Sequence, residues 1–334
     1  MSPLALNPQA SALRLIMMAT GEFAVPTFRL LLDRGYSVHM LVTQPDRPQG
    51  RHQALVPAAI KTLAIERNIE VFQPESVNTL EAIERIAALQ PDLFVVAAYG
   101  QILSDALLRV PRFGGVNLHA SLLPKYRGAA PINWAIYHGE GSTGVTVIRM
   151  TPFLDAGAIL LQAETSIGPV ETAGELELRL SDLGAPLVCQ AIDELAAGTL
   201  RGRPQDRSQA TRAPKLKKEH GLIDWSRGAT GVFNQIRAMH PWPLAYTFLH
   251  RASGESPIRL IIEQIKPGPT ELVLGQTPPP STVLPSNPGT LLVSTGDTAV
   301  EIIQVRPAGK RSMPVSEFLR GHPVLPGDRF GAET

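Results

Sequence analysis

The sequence predicts an α/β protein: a Rossmann-like, mostly parallel sheet over residues 13–204, followed by a small OB-like β-barrel over residues 215–330. Three observations predict it. Strand and helix patterns alternate from Leu13 to Leu195, as in a parallel sheet covered on both faces. Near Gly198–Ala213 the apolar periodicity stops and Arg, Gly, Pro, Gln and Ser dominate, which marks residues 205–214 as a linker. Beyond it come short β-runs separated by Pro and Gly, the pattern of a small barrel.

Residues 1–12 show no periodicity and are expected to form a disordered tail. Leu13 to Ala19 reads as a buried strand that breaks at Thr20-Gly21. Phe23 to Arg34 carries Val25, Phe28, Leu31 and Leu32 on one helical face and stops at Gly35. Strands follow at Tyr36–Thr43, Glu70–Phe72 and Leu93–Ala98, with helices at Ala54–Arg67 and Leu80–Leu89 between them. A strand ends at Asn117-Leu118-His119, followed by a helix near Ile132–Tyr137 and strands at Thr143–Met150 and Ala158–Ala163. Thr172–Leu195 supplies the last helix or helices of this half. In the second half a helix is expected at Ala229–Met239. Strands are expected at Ala245–Leu249, Ile258–Ile265, Thr290–Ser294 and Val300–Val305, with an irregular proline-rich loop over Pro267–Pro288.

At 334 residues the chain exceeds the ~100–200 residues of a usual domain, so two domains are expected. Hydrophobic residues at 44% and charged residues at 18% describe a globular protein with ample core. The net charge of +1 makes no whole-chain case for nucleic acid or membrane. Its distribution says more: 16 basic against 19 acidic residues through 204, and 15 against 11 beyond. A polyanion contact would therefore use the C-terminal half. The lone Cys189 lies in an apolar helical pattern and is expected to be a buried thiol. It excludes an intrachain disulfide and a multi-Cys zinc site. Leu13–Ala19 is too short to span a bilayer and no basic segment precedes it, so a cytoplasmic location is expected; the chain is also expected to be a monomer.

The chemistry concentrates at Asn117-Leu118-His119-Ala120-Ser121-Leu122-Leu123-Pro124. Residues i and i+2 of a strand share a face, so Asn117 and His119 project together. An amide donor beside a titratable ring suits acyl or one-carbon transfer, in which a carbonyl is polarised and a proton removed. Taken alone, the pair reads more readily as a strand-edge amide and a satisfied core histidine than as a site. The Ser-Leu-Leu-Pro continuation and Asp155, in a Leu154-Asp155-Ala156-Gly157 loop after the next strand, shift the balance. Beside His119, Asp155 would hold the ring and stabilise its cation. Ala19-Thr20-Gly21-Glu22-Phe23-Ala24 is not G-x-G-x-x-G, and no Walker sequence or H-E-x-x-H occurs. Nicotinamide dinucleotide, NTP and metal are therefore not expected. Thr43 to His52 is a polar loop with two arginines, a candidate arm over the site. Arg212, Lys215, Lys217, Lys218, Arg306, Lys310 and Arg311 form either a phosphate-binding patch or a solvated basic face.

Asn117-x-His119-x-Ser121-Leu122-Leu123-Pro124, together with Asp155 in its Leu-Asp-x-Gly loop, resembles the signature of the 10-formyltetrahydrofolate-dependent formyltransferases. Further matches are Thr43-Gln44-Pro45-Asp46-Arg47-Pro48, Ala98-Tyr99-Gly100-Gln101-Ile102-Leu103 and Tyr126-Arg127-Gly128-Ala129-Ala130-Pro131-Ile132. Ile223-Asp224-Trp225, Pro241-Trp242-Pro243 and Pro307-Ala308-Gly309-Lys310 extend them nearly to the C-terminus. The resemblance implies the formyltransferase fold. It also implies transfer of a formyl group from 10-formyltetrahydrofolate to the α-amine of methionine on initiator tRNA. It implies catalytic roles for Asn117, His119 and Asp155: Asn117 donating to the formyl oxygen, His119 stabilising the intermediate, Asp155 orienting His119. It implies folate contacts from Ser121, Leu122, Leu123 and Pro124, with Ile102, Leu103, Phe153 and Leu154 walling the pterin pocket. Arg47, Arg51, Lys215, Lys217, Lys218, Lys310 and Arg311 would meet the tRNA acceptor arm. The arm continues His52-Gln53-Ala54 where the family carries lysines, and Gly21 stands where the family has proline.

Two other readings compete. One is a formyltransferase of the same fold acting on a sugar-nucleotide amine or on glycinamide ribonucleotide. The barrel, Ile223-Asp224-Trp225 and the arm argue against the glycinamide enzyme. The other is a non-catalytic RNA-binding protein, against which the complete Asn117, His119 and Asp155 set speaks.

Overall fold

The computed structural model describes residues 8–49, 54–55, 57–268 and 278–333. Arg51 and His52, and the first seven residues of the expected tail, lie outside these. The chain forms two compact units. One comprises Met1–Pro131, Ser142–Ser166 and Leu176–Pro214, and the other Ile132–Gly141, Ile167–Glu175 and Lys215–Thr334.

The first unit opens with α1 (Pro8–Ser11), a helical turn within the expected tail, where Ala10 is fully buried. Burying an apolar side chain gives this polar stretch something to fold against. β1 (Leu15–Ala19), α2 (Val25–Asp33) and β2 (Val38–Val42) follow. α2 buries Thr27, Phe28 and Leu31, and Gly35 turns the chain at φ 77°, a conformation that favours glycine. Two-residue strands β3 (Pro48–Gln49) and β4 (Ala54–Leu55) pair antiparallel. The helix expected from Ala54 therefore starts later, as α3 (Ala59–Glu66), after Pro57. Next come β5 (Glu70–Phe72), α4 (Leu80–Ala88), β6 (Leu93–Ala97), α5 (Asp105–Leu108) and β7 (Gly115–His119). α4 is capped by Thr79, whose hydroxyl accepts from the Ala82 N–H at 3.3 Å.

The chain continues through β8 (Arg127–Gly128), α6 (Pro131–Tyr137), β9 (Ser142–Arg149), β10 (Ile159–Ser166), α7 (Ala173–Ala196) and β11 (Arg212–Ala213). The sheet order is β10-β9-β7-β6-β1-β2-β5. β5, β2, β1, β6 and β7 are parallel, whereas β9 runs antiparallel to β7 and β10 antiparallel to β9. β1 and β6 are buried at every position, as central parallel strands must be. The chain leaves β1 toward β2 and later returns to its other side as β6, so the order reverses beside β1. There Gly21 is extended at φ −76°, an angle proline also adopts. The glycine therefore keeps the turn's path and adds an N–H bond to the Ala98 carbonyl at 3.3 Å. α7 is a single helix with Pro186 inside it, and Gly184 lets it approach β7, since a Cβ there would meet Leu118 at 2.6 Å.

The second unit holds α8 (Ala229–Ala238), β12 (Tyr246–His250), β13 (Ile258–Pro267), β14 (Val283–Leu284), β15 (Leu291–Ser294), β16 (Ala299–Pro307), β17 (Met313–Pro314), α9 (Val315–Gly321) and β18 (Arg329–Gly331). β14 interrupts the stretch expected to be irregular and pairs with β15. The antiparallel order β14-β15-β16-β13-β12-β18 nearly closes on itself. Val283 N–H donates to the Asp328 carbonyl and Phe330 N–H to that of Ser281, both at 2.8 Å, so the end strands meet and the barrel has little free edge. Leu260, Ile262, Ile265, Ile302, Val305 and Phe330 fill it. No helix among the described residues is long and apolar enough to cross a membrane.

Candidate active site

Asn117 and His119 occupy alternate positions of β7, opposite Ile148 and Thr146 of β9. His119 is buried at 6% exposure. Asn117 is half-buried, and its amide has no hydrogen-bond partner among the described residues. The amide is not among the buried unpartnered groups, so its donor is open to whatever occupies the site.

His119 Nε2 lies 2.9 Å from the Tyr126 carbonyl. A carbonyl only accepts, so Nε2 carries a proton and donates it, and Nδ1 is the ring nitrogen turned toward the rest of the site. Nδ1 faces Asp155 Oδ2 at 3.7 Å, beyond hydrogen-bond length. The hydrogen bond that holds the ring therefore comes from Tyr126 rather than from the expected Asp155. The reason is topological. β9 runs antiparallel to β7, so the loop after it starts beside Val116 and folds back over the sheet to reach His119. Its carboxylate is anchored on arrival by the Gly128 N–H at 2.9 Å. Asp155 sits at φ 48°, and a Cβ on Gly157 would overlap the Arg149 carbonyl oxygen.

The turn from Ser121 to Gly128 hangs on Thr146. Its hydroxyl donates to the Ser121 carbonyl at 2.6 Å and accepts from Leu123 N–H at 3.1 Å. Gln162 donates to the same hydroxyl and to the Leu123 carbonyl, each at 2.9 Å. Ser121 Oγ closes the turn on the Lys125 carbonyl at 2.7 Å. Ser121 and Leu123 are consequently buried, with Leu123 packed on Ile148 and Ile159, while Leu122 and Pro124 remain half-buried. Leu103 belongs to the core around Phe94 and Val96. By contrast Ile102, Phe153 and Leu154 are 67%, 76% and 61% exposed. Large apolar side chains held in water are surface on offer to a ligand.

Behind this turn, Gln205 and Thr211 of the expected linker dock onto it. Thr211 Oγ1 accepts from Tyr126 N–H at 2.8 Å, and β11 pairs with β8. No periodicity or motif marks these two residues in sequence, and the same holds for Thr146 and Gln162.

Burial pushes the Tyr99 hydroxyl up to about 12, and it has no partner among the described residues, so it is a poor acid–base group at neutral pH. Among these residues no group of three or more His, Cys, Asp or Glu side chains is arranged to hold a metal ion. At the root of the arm, Asp46 accepts from Lys61 Nζ at 2.5 Å and from Gln73 at 3.1 Å. These bonds, chiefly that from Lys61, hold its carboxyl below the usual range. Arg47 is exposed and pairs with Glu75 at 3.3 Å. Lys215, Lys217, Lys218 and Lys310 are exposed and make no ion pair among the described residues. Arg306 and Arg311 instead pair with Glu263 and Glu317 at 3.0 and 3.3 Å.

The family model "Formyl transferase" matches residues 13–192, and "Formyl transferase, C-terminal domain" matches residues 215–323. The chain is 45% identical over 321 residues to a methionyl-tRNA formyltransferase of Geobacter sulfurreducens, covering 96% of this chain and 98% of that protein. It is 41% identical over 319 residues to the methionyl-tRNA formyltransferase of Bacillus subtilis, covering 95% and 98%. Among solved structures, an N-formyltransferase from Helicobacter canadensis in complex with folinic acid and dTDP-3-aminofucose aligns with a TM-score of 0.63 at 18% identity. That alignment covers 88% of this chain and 100% of the other, and at such identity the likeness is one of fold.

Proposed function

The chain belongs to the formyl transferase family, and we propose that it transfers the formyl group of 10-formyltetrahydrofolate to the α-amino group of methionyl initiator tRNA, giving N-formylmethionyl-tRNA. The observation that carries this reading is similarity to methionyl-tRNA formyltransferases along both units, with 96% of this chain aligned. A sugar-nucleotide acceptor has only fold-level likeness behind it, at 18% identity.

In this reading the open Asn117 amide donates to the formyl oxygen as negative charge gathers there. One such donor typically contributes about 3–4 kcal/mol to lowering the barrier. The methionine amine attacks the formyl carbon, the bond from that carbon to folate N10 breaks with its electron pair going to N10, which takes up a proton as it leaves, and the amine gives up a proton. Asp155 and His119 Nδ1, 3.7 Å apart, form the pair that receives it, and the proton on His119 then stands against a carboxylate. Tyr126 keeps the ring from turning. Exposed Ile102, Phe153 and Leu154 suit the flat pterin, and the Ser121–Pro124 turn offers half-buried Leu122 and Pro124 together with its backbone. Leu103, Ser121 and Leu123 act by shaping those surfaces from within. Arg47, Arg51, Lys215, Lys217, Lys218, Lys310 and Arg311 meet the acceptor arm, with the four unpaired lysines contributing most. The enzyme works as a monomer in the cytoplasm, where its aminoacylated substrate is made.

The test is an assay with charged initiator tRNA and 10-formyltetrahydrofolate. Formyl-methionyl product is expected, with its formation abolished in His119→Ala. Absence of product with the wild-type chain, or full activity in His119→Ala, overturns the reading.

A further inference from the structure

We propose that Gln205 is a positioning residue that sets the separation of Asp155 and His119. The inference rests on the formyl-transfer reading of that pair. Gln205 lies in the stretch between the strand-helix alternation and the barrel, yet its amide uses its full bonding capacity. Its Nε2 donates to the Asp155 carbonyl at 2.7 Å and to the Gly157 carbonyl at 2.8 Å. Its Oε1 accepts from Arg127 Nε at 3.1 Å and Nη2 at 2.7 Å.

Each partner leads to the catalytic pair. The two carbonyls belong to the loop that carries Asp155, and one of them to Asp155 itself, held at φ 48°. That conformation is uncommon for a residue with a side chain and needs support from its surroundings. Arg127 lies between Tyr126, whose carbonyl accepts from His119 Nε2, and Gly128, whose N–H donates to Asp155 Oδ2. One side chain therefore ties the backbone that orients the imidazole to the backbone that carries the carboxylate. Thr211 reinforces the same turn, taking Tyr126 N–H on its hydroxyl and Arg127 N–H on its carbonyl at 2.8 and 2.9 Å.

The chemistry of the four partners selects an amide. The loop side presents two carbonyls, which only accept, and the other side a guanidinium, which only donates. Glutamate keeps the guanidinium contact but sets a carboxylate against two carbonyl oxygens. Methionine, of similar length, keeps neither set of bonds. The two substitutions thus separate the hold on the Asp155 loop from the tie to Arg127.

The experiment compares wild type, Gln205→Glu and Gln205→Met in steady-state formylation of charged initiator tRNA. It also records the His119 ring-nitrogen NMR signals of the substrate-free proteins. Both variants are expected to lower kcat by about 10- to 100-fold, the cost of a misplacement near 1 Å, with both KM values within about two-fold of wild type. Both should also shift the His119 ring signals, which a stabilising residue remote from the pair would leave in place. Wild-type kcat and unmoved ring signals in Gln205→Glu, or in Gln205→Met where the glutamate variant fails to fold, overturn the inference. Inactive wild type with ring signals displaced by the substitutions overturns the formyl-transfer reading and leaves the positioning role standing.

Discussion

Asn117 and His119 differ in how far the protein satisfies them, and that difference locates the open bond. His119 is buried and tied to Tyr126, whereas the Asn117 amide has no partner among the described residues. Replacing Asn117 by alanine should therefore leave the thermal midpoint unchanged while lowering kcat by about 10²–10³-fold. Calorimetry and single-turnover formylation check the two halves of that statement. Cys189 is the opposite case. It is fully buried, and burial pushes its thiol up to about 11, so the reactive thiolate is scarce at neutral pH. Iodoacetamide should label it only after unfolding, as mass spectrometry of native and denatured samples will show. The types of these residues were legible from pattern alone: a strand puts i and i+2 on one face, and an apolar helix buries its cysteine. Which atom holds which was not, because the Tyr126 carbonyl and the Gly128 N–H are backbone groups that look alike at every position of a sequence.

The stretch from Ser121 to Lys125 is an element without regular structure, held mainly by the Thr146 hydroxyl, which makes three hydrogen bonds. Thr146→Val keeps the volume and strands the Ser121 carbonyl and Leu123 N–H in the interior. A loss of about 1–3 kcal/mol in urea unfolding is expected, with a raised KM for 10-formyltetrahydrofolate as the turn loosens. At the arm's root, the Asp46 carboxyl is held below its ordinary value by Lys61. A carboxylate with a depressed folded-state pKa stabilises the protein above the unfolded value, about 3.9. That contribution is lost as pH falls through the lower folded value. The wild-type thermal midpoint should therefore fall on acidification below about pH 4, and Asp46→Asn should lose part of that dependence. Helices and strands with clear periods were readable, including α2, α4 and β6. β18 and β14 were not: they are three and two residues long and lie outside the strand–helix alternation that revealed the similarly short β5. The antiparallel direction of β9 also escaped, since an apolar run reads the same either way along a sheet.

The two units each have their own sheet and core, and the surplus of positive charge lies in the second half of the chain. Lys217 and Lys218 are exposed, without acidic partners among the described residues, so their charge is available to phosphate. Lys217→Ala and Lys218→Ala should each weaken initiator tRNA binding and reduce the log–log salt slope by about one. Folate affinity should stay as it is in both. Arg311→Ala should do less, because Glu317 already pairs with it. Isothermal titration at several salt concentrations distinguishes these outcomes. The sequence by itself determined the class of the fold, the place of the composition break, the amide and imidazole sharing a strand face, and the acid in the following loop. These follow from period, turn chemistry and charge, which are local properties. Only the tertiary structure decided that the stretch carrying Gln205 and Thr211 docks onto the catalytic turn. It also decided that Tyr126, rather than Asp155, lies within hydrogen-bond distance of His119, and that Leu103 and Leu123 face inward. Hydrogen bonds between distant backbone groups depend on how strands pair across the whole sheet, and that pairing leaves no trace in the residues on either side of it.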